Sequence, residues 1–234
     1  MGKEQSKRIQ TSILNGIERK VLVWLAERQP RWVVSDTLTF VGFLGSVIIA
    51  LGYILTNLDY RWLWLASLGF VINWYGDSLD GSVARVRKTQ RPVYGFYIDH
   101  TMDVINEIFM LVGVGLSMLM RFDIAMLILV MYLALTINVD TNAHLKNEFK
   151  LTYGGFGPTE FRILVIIVNT LFIFIRPLRE FVADITLFGH SISLSAMDIF
   201  GIAVLAILTI IYIATVASDA RGYAKADPMP ERKD

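Results

Sequence analysis

The sequence predicts an all-α, polytopic membrane protein: six transmembrane helices preceded by an N-terminal amphipathic helix at the membrane interface. Three observations carry that expectation. Hydrophobic residues fill 54% of the 234 positions and the mean hydropathy is +0.52, too apolar for an ordinary soluble domain. Two runs of 20 residues, Thr37–Thr56 and Ile199–Ser218, contain no charge and are long enough to cross a bilayer. Between them, four further apolar stretches alternate with polar segments.

Residues 1–31 form the first unit. Ile9, Ile13, Leu14, Ile17, Val21, Trp24, Leu25 and Trp32 recur at roughly helical spacing, and Lys7, Arg8, Arg19, Lys20 and Arg28 fill much of the rest. This pattern predicts a helix lying in the interface and ending near Pro30. An arm packing on another subunit is the alternative. The positive charges are spread out and no compact apolar core follows them, unlike a signal peptide.

Residues 32–220 read as one membrane domain. The first span, Thr37–Thr56, repeats small residues at Gly42, Ser46 and Ala50, which favours close helix packing. Ser35 or Asp36 is placed to cap it. The second span covers about Trp62–Val86, and a polar loop with Arg87, Lys88, Arg91 and Pro92 leads to the third, Gly95–Met120. The fourth covers Phe122–Ala143. A polar stretch, Asn142–Pro158, precedes the fifth, Thr159–Ile175. Residues 176–198 read as a longer polar connection to the sixth span. Residues 221–234 carry charges and two prolines and read as a flexible tail.

Net charge is only +1, which implies no nucleic-acid partner. The absence of cysteine excludes disulfides, thiolate metal sites and a thiol nucleophile. With six spans, 18 Lys and Arg residues fall on the side of the termini and the 85–94 loop, and four on the other. The positive-inside rule then places both termini and that loop in the cytoplasm.

The stretch richest in chemistry reads Asp77-x2-Asp80-Gly81-x2-Ala84-Arg85, then nine residues, then Gly95-x3-Asp99-x3-Asp103. On helices, Asp77 with Asp80 and Asp99 with Asp103 each share a face, with Cβ atoms ~5–6 Å apart. Four carboxylates brought together repel unless cations sit among them. Hard oxygen ligands suit Mg²⁺ or Mn²⁺, with two ions ~4 Å apart as one arrangement. Gly81 and Ala84 leave room for a flat group, and Arg85 suits a phosphate. Metal, phosphate and a planar base together point to a nucleotide diphosphate. Any one of these aspartates reads equally well as a solvated charge at a helix end. Agreement of eight positions with one purpose weighs against that reading for the set.

The stretch resembles the signature of the CDP-alcohol phosphotransferases, class I integral membrane enzymes, at all eight positions. The resemblance implies six core helices, a homodimer and transfer of a phosphate-linked group from a CDP-linked donor to a hydroxyl, with release of CMP. It implies a metal site formed by Asp77, Asp80 and Asp99, with Asp103 as general base and possible further metal ligand. Donor contacts would come from Asp77, Asp80, Gly81, Ala84, Arg85 and Gly95. Two directions occur in the family, from CDP-diacylglycerol to a soluble alcohol or from CDP-choline or CDP-ethanolamine to diacylglycerol. Asp99-His100 is similar to the second group's motif, but Thr101 stands where that motif has glycine, and Ser82-Val83 where it often has Lys-Gln. The chain also has room for six spans rather than that group's ten or so. CDP-diacylglycerol is therefore the preferred donor.

Lys146, Glu160, Arg162 and Arg221 are candidates for an acceptor pocket, being on the same expected side as the aspartates. Each reads as well as an ordinary topology-setting charge. Glu107, one turn beyond Asp103, and His100, next to Asp99, are candidates for support. His144 and His190 have no ligand partner at a suitable spacing and read as loop residues. A transporter with intramembrane carboxylates is the rival from another class. It leaves Gly81, Ala84 and Arg85 unexplained. An inactive scaffold is a third reading, against which the intact cluster argues.

Overall fold

The computed structural model describes residues 7–9, 13–146, 148–150, 157–187 and 190–229. Its helices are α1 (Asn15–Arg28), α2 (Ser35–Leu55), α3 (Leu63–Val86), α4 (Pro92–Gly115), α5 (Phe122–Lys146), α6 (Pro158–Phe174), the one-turn α7 (Arg176–Arg179) and α8 (Ala196–Ala226). Strand β1 (Lys7–Ile9) runs parallel to β2 (Glu148–Lys150), and β3 (Val182–Leu187) pairs antiparallel with β4 (His190–Ser195). The class is all-α, as expected.

Among the described residues, three helical segments are long and apolar enough to cross a membrane: α2, Phe122–Leu145 of α5, and α8. Helices α3 and α4, at 24 residues each, reach about 36 Å at ~1.5 Å per residue. They carry the signature carboxylates in their interiors.

Helix α2 is the common neighbour of α3 and α4. It approaches α3 closely because both faces are nearly bare. A Cβ on Gly76 would lie inside the backbone of Gly42, and one on Gly45 would overlap Asn73. This is the small-residue packing that lets membrane helices touch backbone to backbone. Buried polar groups latch the same seam. Asn73 Nδ2 donates to the Gly42 carbonyl and to Ser46 Oγ, both at 3.0 Å, and Ser46 Oγ donates to Asn106 Oδ1 of α4 at 2.8 Å. A second latch joins α6: Tyr53 donates to Asn169 Oδ1 at 3.1 Å. In a setting without water each such group needs a protein partner.

The α3–α4 turn is closed by Lys88 in the left-handed region, φ 55°, with the Thr89 N–H reaching the Ala84 carbonyl. Arg87 donates to the carbonyls of Gln29 and Pro30, tying this turn to the end of α1. Proline at the first position of α4 starts that helix three residues before the expected Gly95.

Three regions differ from the sequence expectation. The N-terminal segment is not one helix: β1 and then α1 share it, and Ile9 stands in the strand. The connection at 176–198, read only as a longer polar link, holds α7 and a pair of antiparallel strands. Alternating residues such as Ile185-Thr186 and Ile192-Ser193 carry the strand signal. Helix α8 continues through residues 221–226, read as flexible tail, because Ala224, Lys225 and Ala226 favour helix and Pro228 lies beyond them.

Candidate functional site

Helix α3 packs on α2, α1 and α6, whereas α4 packs on α2 and α5. Their signature faces meet in the angle between them. Asp77 from α3 and Asp99 and Asp103 from α4 each present a carboxylate oxygen, all within 4.8 Å of one another and all half-buried. Arg162 of α6 places Nη2 at 2.6 Å from Asp77 Oδ2. Carboxylates so close together repel one another and attract cations. The donor set is entirely hard oxygen. It therefore fits Mg²⁺ or Mn²⁺ and gives a soft metal nothing to hold.

Asp80 neighbours Asp77 and Asp99 but lies outside that 4.8 Å grouping. It is 9% exposed. Its Oδ2 accepts from Thr39 Oγ1 of α2 at 2.7 Å, and its Oδ1 engages the backbone N–H of Gly81. Ser35 Oγ donates to the Asp80 carbonyl at 3.0 Å. The spacing correctly put Asp80 near Asp77 along the helix. Which way its side chain turns was set by the hydroxyl on the neighbouring helix.

Arg85 lies back over Gly81 and donates to Ser82 Oγ at 2.9 Å; a Cβ on Gly81 would meet its Nη1 at 3.3 Å. Ala84 is half-buried on the same helix. Gly95 opens onto free space, with nothing within 4 Å of an added Cβ. Gly95 thus offers bare surface on the same helix as Asp99 and Asp103.

The support candidates are both near. Glu107 lies beside Tyr132 of α5, and its Oε2 is buried with no hydrogen-bond partner among the described residues. His100 stacks on Phe96 with centroids 3.9 Å apart, shares its Nδ1 with the Phe96 carbonyl, and sets Nε2 3.4 Å from Asp140 Oδ1. His144 lies exposed on α5; the side chain of His190 lies outside the described residues.

The acceptor candidates separate. Arg162 joins the cluster. Glu160 has both oxygens on backbone N–H groups, that of Leu14 at 2.9 Å and that of Gly157 at 3.0 Å. It closes the start of α6 and clamps the N-terminal arm there. Arg221 is exposed on α8, where neighbouring Asp219 and Tyr223 bind Asn142 of α5. The side chain of Lys146 lies outside the described residues.

Sequence reasoning passed over Thr39, Tyr132, Asp140 and Glu18. Asp140 had a signal, an ionisable group within an apolar helix. Glu18 accepts from Trp74 Nε1 at 2.9 Å and from Thr159 at 2.6 Å, joining the arm to α3 and α6 at once. Nothing in a linear pattern announces that role.

The comparisons with known proteins point to one family. The family model for CDP-alcohol phosphatidyltransferase matches residues 32–217, and the chain belongs to that family of membrane enzymes. Cholinephosphotransferase 1 of Gallus gallus is 32% identical over 96 residues, covering 38% of this chain and 28% of that protein. The Danio rerio cholinephosphotransferase 1 is 33% identical over 96 residues, 38% of this chain and 25% of its own length. Archaetidylinositol phosphate synthase of Pyrococcus horikoshii is 28% identical over 99 residues, 42% of this chain and 49% of that protein. The chain thus matches about a quarter of the length of these cholinephosphotransferases and about half of the synthase.

Proposed function

We propose that this protein transfers a phosphate-linked group from a CDP-linked donor, preferentially CDP-diacylglycerol, to a hydroxyl acceptor with release of CMP, in phospholipid biosynthesis. The observation that carries the proposal is the meeting of Asp77, Asp99 and Asp103 from the two halves of the family signature.

Asp103 acts as general base and takes the proton of the acceptor hydroxyl. The acceptor oxygen bonds to the phosphorus distal to cytidine. The bond from that phosphorus to the bridging oxygen breaks, and CMP leaves with the electron pair. Asp77, Asp80, Asp99 and Asp103 hold Mg²⁺ or Mn²⁺, as two ions in the proposed form. Bound there, the metal neutralises the diphosphate and stabilises departing CMP. Gly81, Ala84 and Gly95 give the nucleotide room against the helices, and Arg85 binds phosphate. Arg162 is the best-placed acceptor-pocket residue, with Lys146, Glu160 and Arg221 as the wider set.

The same proposal includes six spans, with α3, α4 and α6 joining the three most apolar helices. The arm at 1–31 lies on the membrane, supported by the exposed Ile13, Ile17 and Trp24 of its outer face. Both termini and the aspartates face the cytoplasm, and the working unit is a homodimer, as the family implies. The chain has no native cysteine, so labelling Lys88→Cys from one side of sealed vesicles tests the orientation. Labelling from outside alone reverses it.

A second reading has specific support. Relatives named cholinephosphotransferase and the Asp99-His100 pair favour transfer from CDP-choline or CDP-ethanolamine to diacylglycerol. A screen of CDP-linked donors against hydroxyl acceptors, with products identified by mass spectrometry, decides between them. CMP release is expected to stop on chelation and return with Mg²⁺ or Mn²⁺. Full release after thorough chelation removes the metal from the mechanism. No release with any pair refutes the transferase reading.

A further inference from the structure

The two aspartates of α3 are each held by a different neighbouring helix, one by a neutral hydroxyl and the other by a cation. On one flank, Thr39 Oγ1 of α2 donates to Asp80 Oδ2 at 2.7 Å. This donor sits on the helix that approaches α3 backbone to backbone, so it cannot drift relative to Asp80. Asp80 is also the most buried of the signature carboxylates. On the other flank, Arg162 Nη2 lies 2.6 Å from Asp77 Oδ2, and the Arg162 side chain is 15% exposed. Its helix is fixed at that end. Glu160 takes the N–H groups of Leu14 and Gly157, and Thr159 is bound to Glu18 of the arm. Glu18 in turn holds Trp74, one turn before Asp77 on α3. The contacts form a closed ring from the arm through α6 to Asp77 and back through α3.

We propose that Thr39 and Arg162 are positioning residues of the cation site that shift its affinity in opposite directions. The Thr39 hydroxyl fixes one carboxylate orientation for Asp80, in the manner of an outer-shell partner that pre-orients a metal ligand. Without it, a buried carboxylate loses a donor and gains rotational freedom. Arg162 is the resident counter-cation. It relieves the repulsion among Asp77, Asp99 and Asp103 when no metal is present, and it competes with an entering ion for the Asp77 oxygen. The arm, through Glu18 and Glu160, keeps that competitor in register. This inference rests on the reading that the cluster takes a divalent ion, and it adds two residues that are not themselves metal ligands.

The test uses the full chain in lipid nanodiscs, with Mn²⁺ titrated and free Mn²⁺ read by electron paramagnetic resonance. Thr39→Val is expected to weaken Mn²⁺ binding about tenfold, the lower end for an outer-shell partner, with Thr39→Ser within about threefold of wild type. Arg162→Gln is expected to strengthen Mn²⁺ binding by about threefold or more, while Arg162→Lys, which keeps the charge, stays near wild type. Arg162→Gln should also lower the unfolding temperature in EDTA but not in saturating Mn²⁺, since its stabilising pair is needed only when the metal is absent.

Equal loss of binding in Thr39→Val and Thr39→Ser marks a packing role and overturns the Thr39 assignment. Weaker or unchanged binding in Arg162→Gln overturns the counter-cation assignment. CMP release by the wild type is measured in parallel. Release with unshifted Mn²⁺ affinities in both variants refutes this inference and leaves the transferase reading standing. The expected shifts without CMP release from any donor do the reverse.

Discussion

The seam between α2 and α3 and the long helix α8 are both made of apolar sequence, yet they are built on different principles. Of the most hydrophobic window of α2, 44% is buried inside the protein; for α8 the figure is 6%. The seam uses glycines, Ser46 and Asn73 to bring backbones together and to pair polar groups where no water reaches. Helix α8 instead presents Ile202, Ile207, Ile210 and Ile213 outward. It is anchored at its start, where Ser195 and Asp198 form a capping box and Asp198 accepts from the Arg121 N–H at 2.7 Å. Hydrophobicity is thus a poor guide to which helices carry precision. Small residues and paired polar groups mark the helices that hold the site, while large aliphatic ones mark the helix whose face stays open in the single chain.

The largest expected effect tests the seam itself. Gly76→Leu drives a side chain into the Gly42 backbone and is expected to abolish folded protein, seen as loss of the monodisperse peak in size-exclusion chromatography. A well-folded Gly76→Leu variant would show that α2 and α3 separate at little cost, and the contrast with α8 would collapse.

Next comes the chemistry the seam supports. Asp103→Asn preserves size and packing, so it separates reaction from scaffold. Turnover should fall by at least ~10², the lower end for general-base catalysis, with donor binding much less affected. Asp80→Asn should weaken metal-dependent donor binding instead. Donor titration beside turnover for both variants reads the split. Loss of donor binding in Asp103→Asn to the same degree as in Asp80→Asn would make Asp103 a metal ligand first.

A smaller effect is expected within the latch. Asn73→Ala removes two bonds across the seam and should cost about 1 kcal/mol, given an average of about 0.6 kcal/mol per interhelical bond in membranes. The smallest effect belongs to α8. Ile210→Ala, at an outward position, is expected to change stability by under about 0.5 kcal/mol. Thermal unfolding of the two variants in the same lipid measures the ratio. A larger loss for Ile210→Ala than for Asn73→Ala would mean that α8 has a protein partner on that face.

Within the site, legibility followed the range of the contact. Asp77, Asp99 and Asp103 lie in a motif whose helical spacing already places each pair on one face, and the structure brings those three together. Asp80 shares the motif but answers to Thr39, 41 residues away in sequence. Glu160 was a pocket candidate because it lies on the same expected side as the aspartates. Its oxygens also satisfy the N–H groups of Leu14 and Gly157, as the open end of a helix requires. Tyr132 came into view only once α5 was laid beside α4, and the partners of Asp140 and Tyr132, His100 and Glu107, were likewise set there.

The sequence by itself determined the class, the main helices and the identity of the metal-suited acids. Each follows from local regularities: apolar length, helical period and the spacing of like charges along one helix. The tertiary structure decided which carboxylates converge, which cation balances them, and how the arm reaches the site through Glu18. It also decided that 182–195 forms a hairpin and that α8 runs on to Ala226. Those outcomes depend on distances between segments far apart in the chain, and the orientation of a carboxylate is set by whichever donor the fold places beside it.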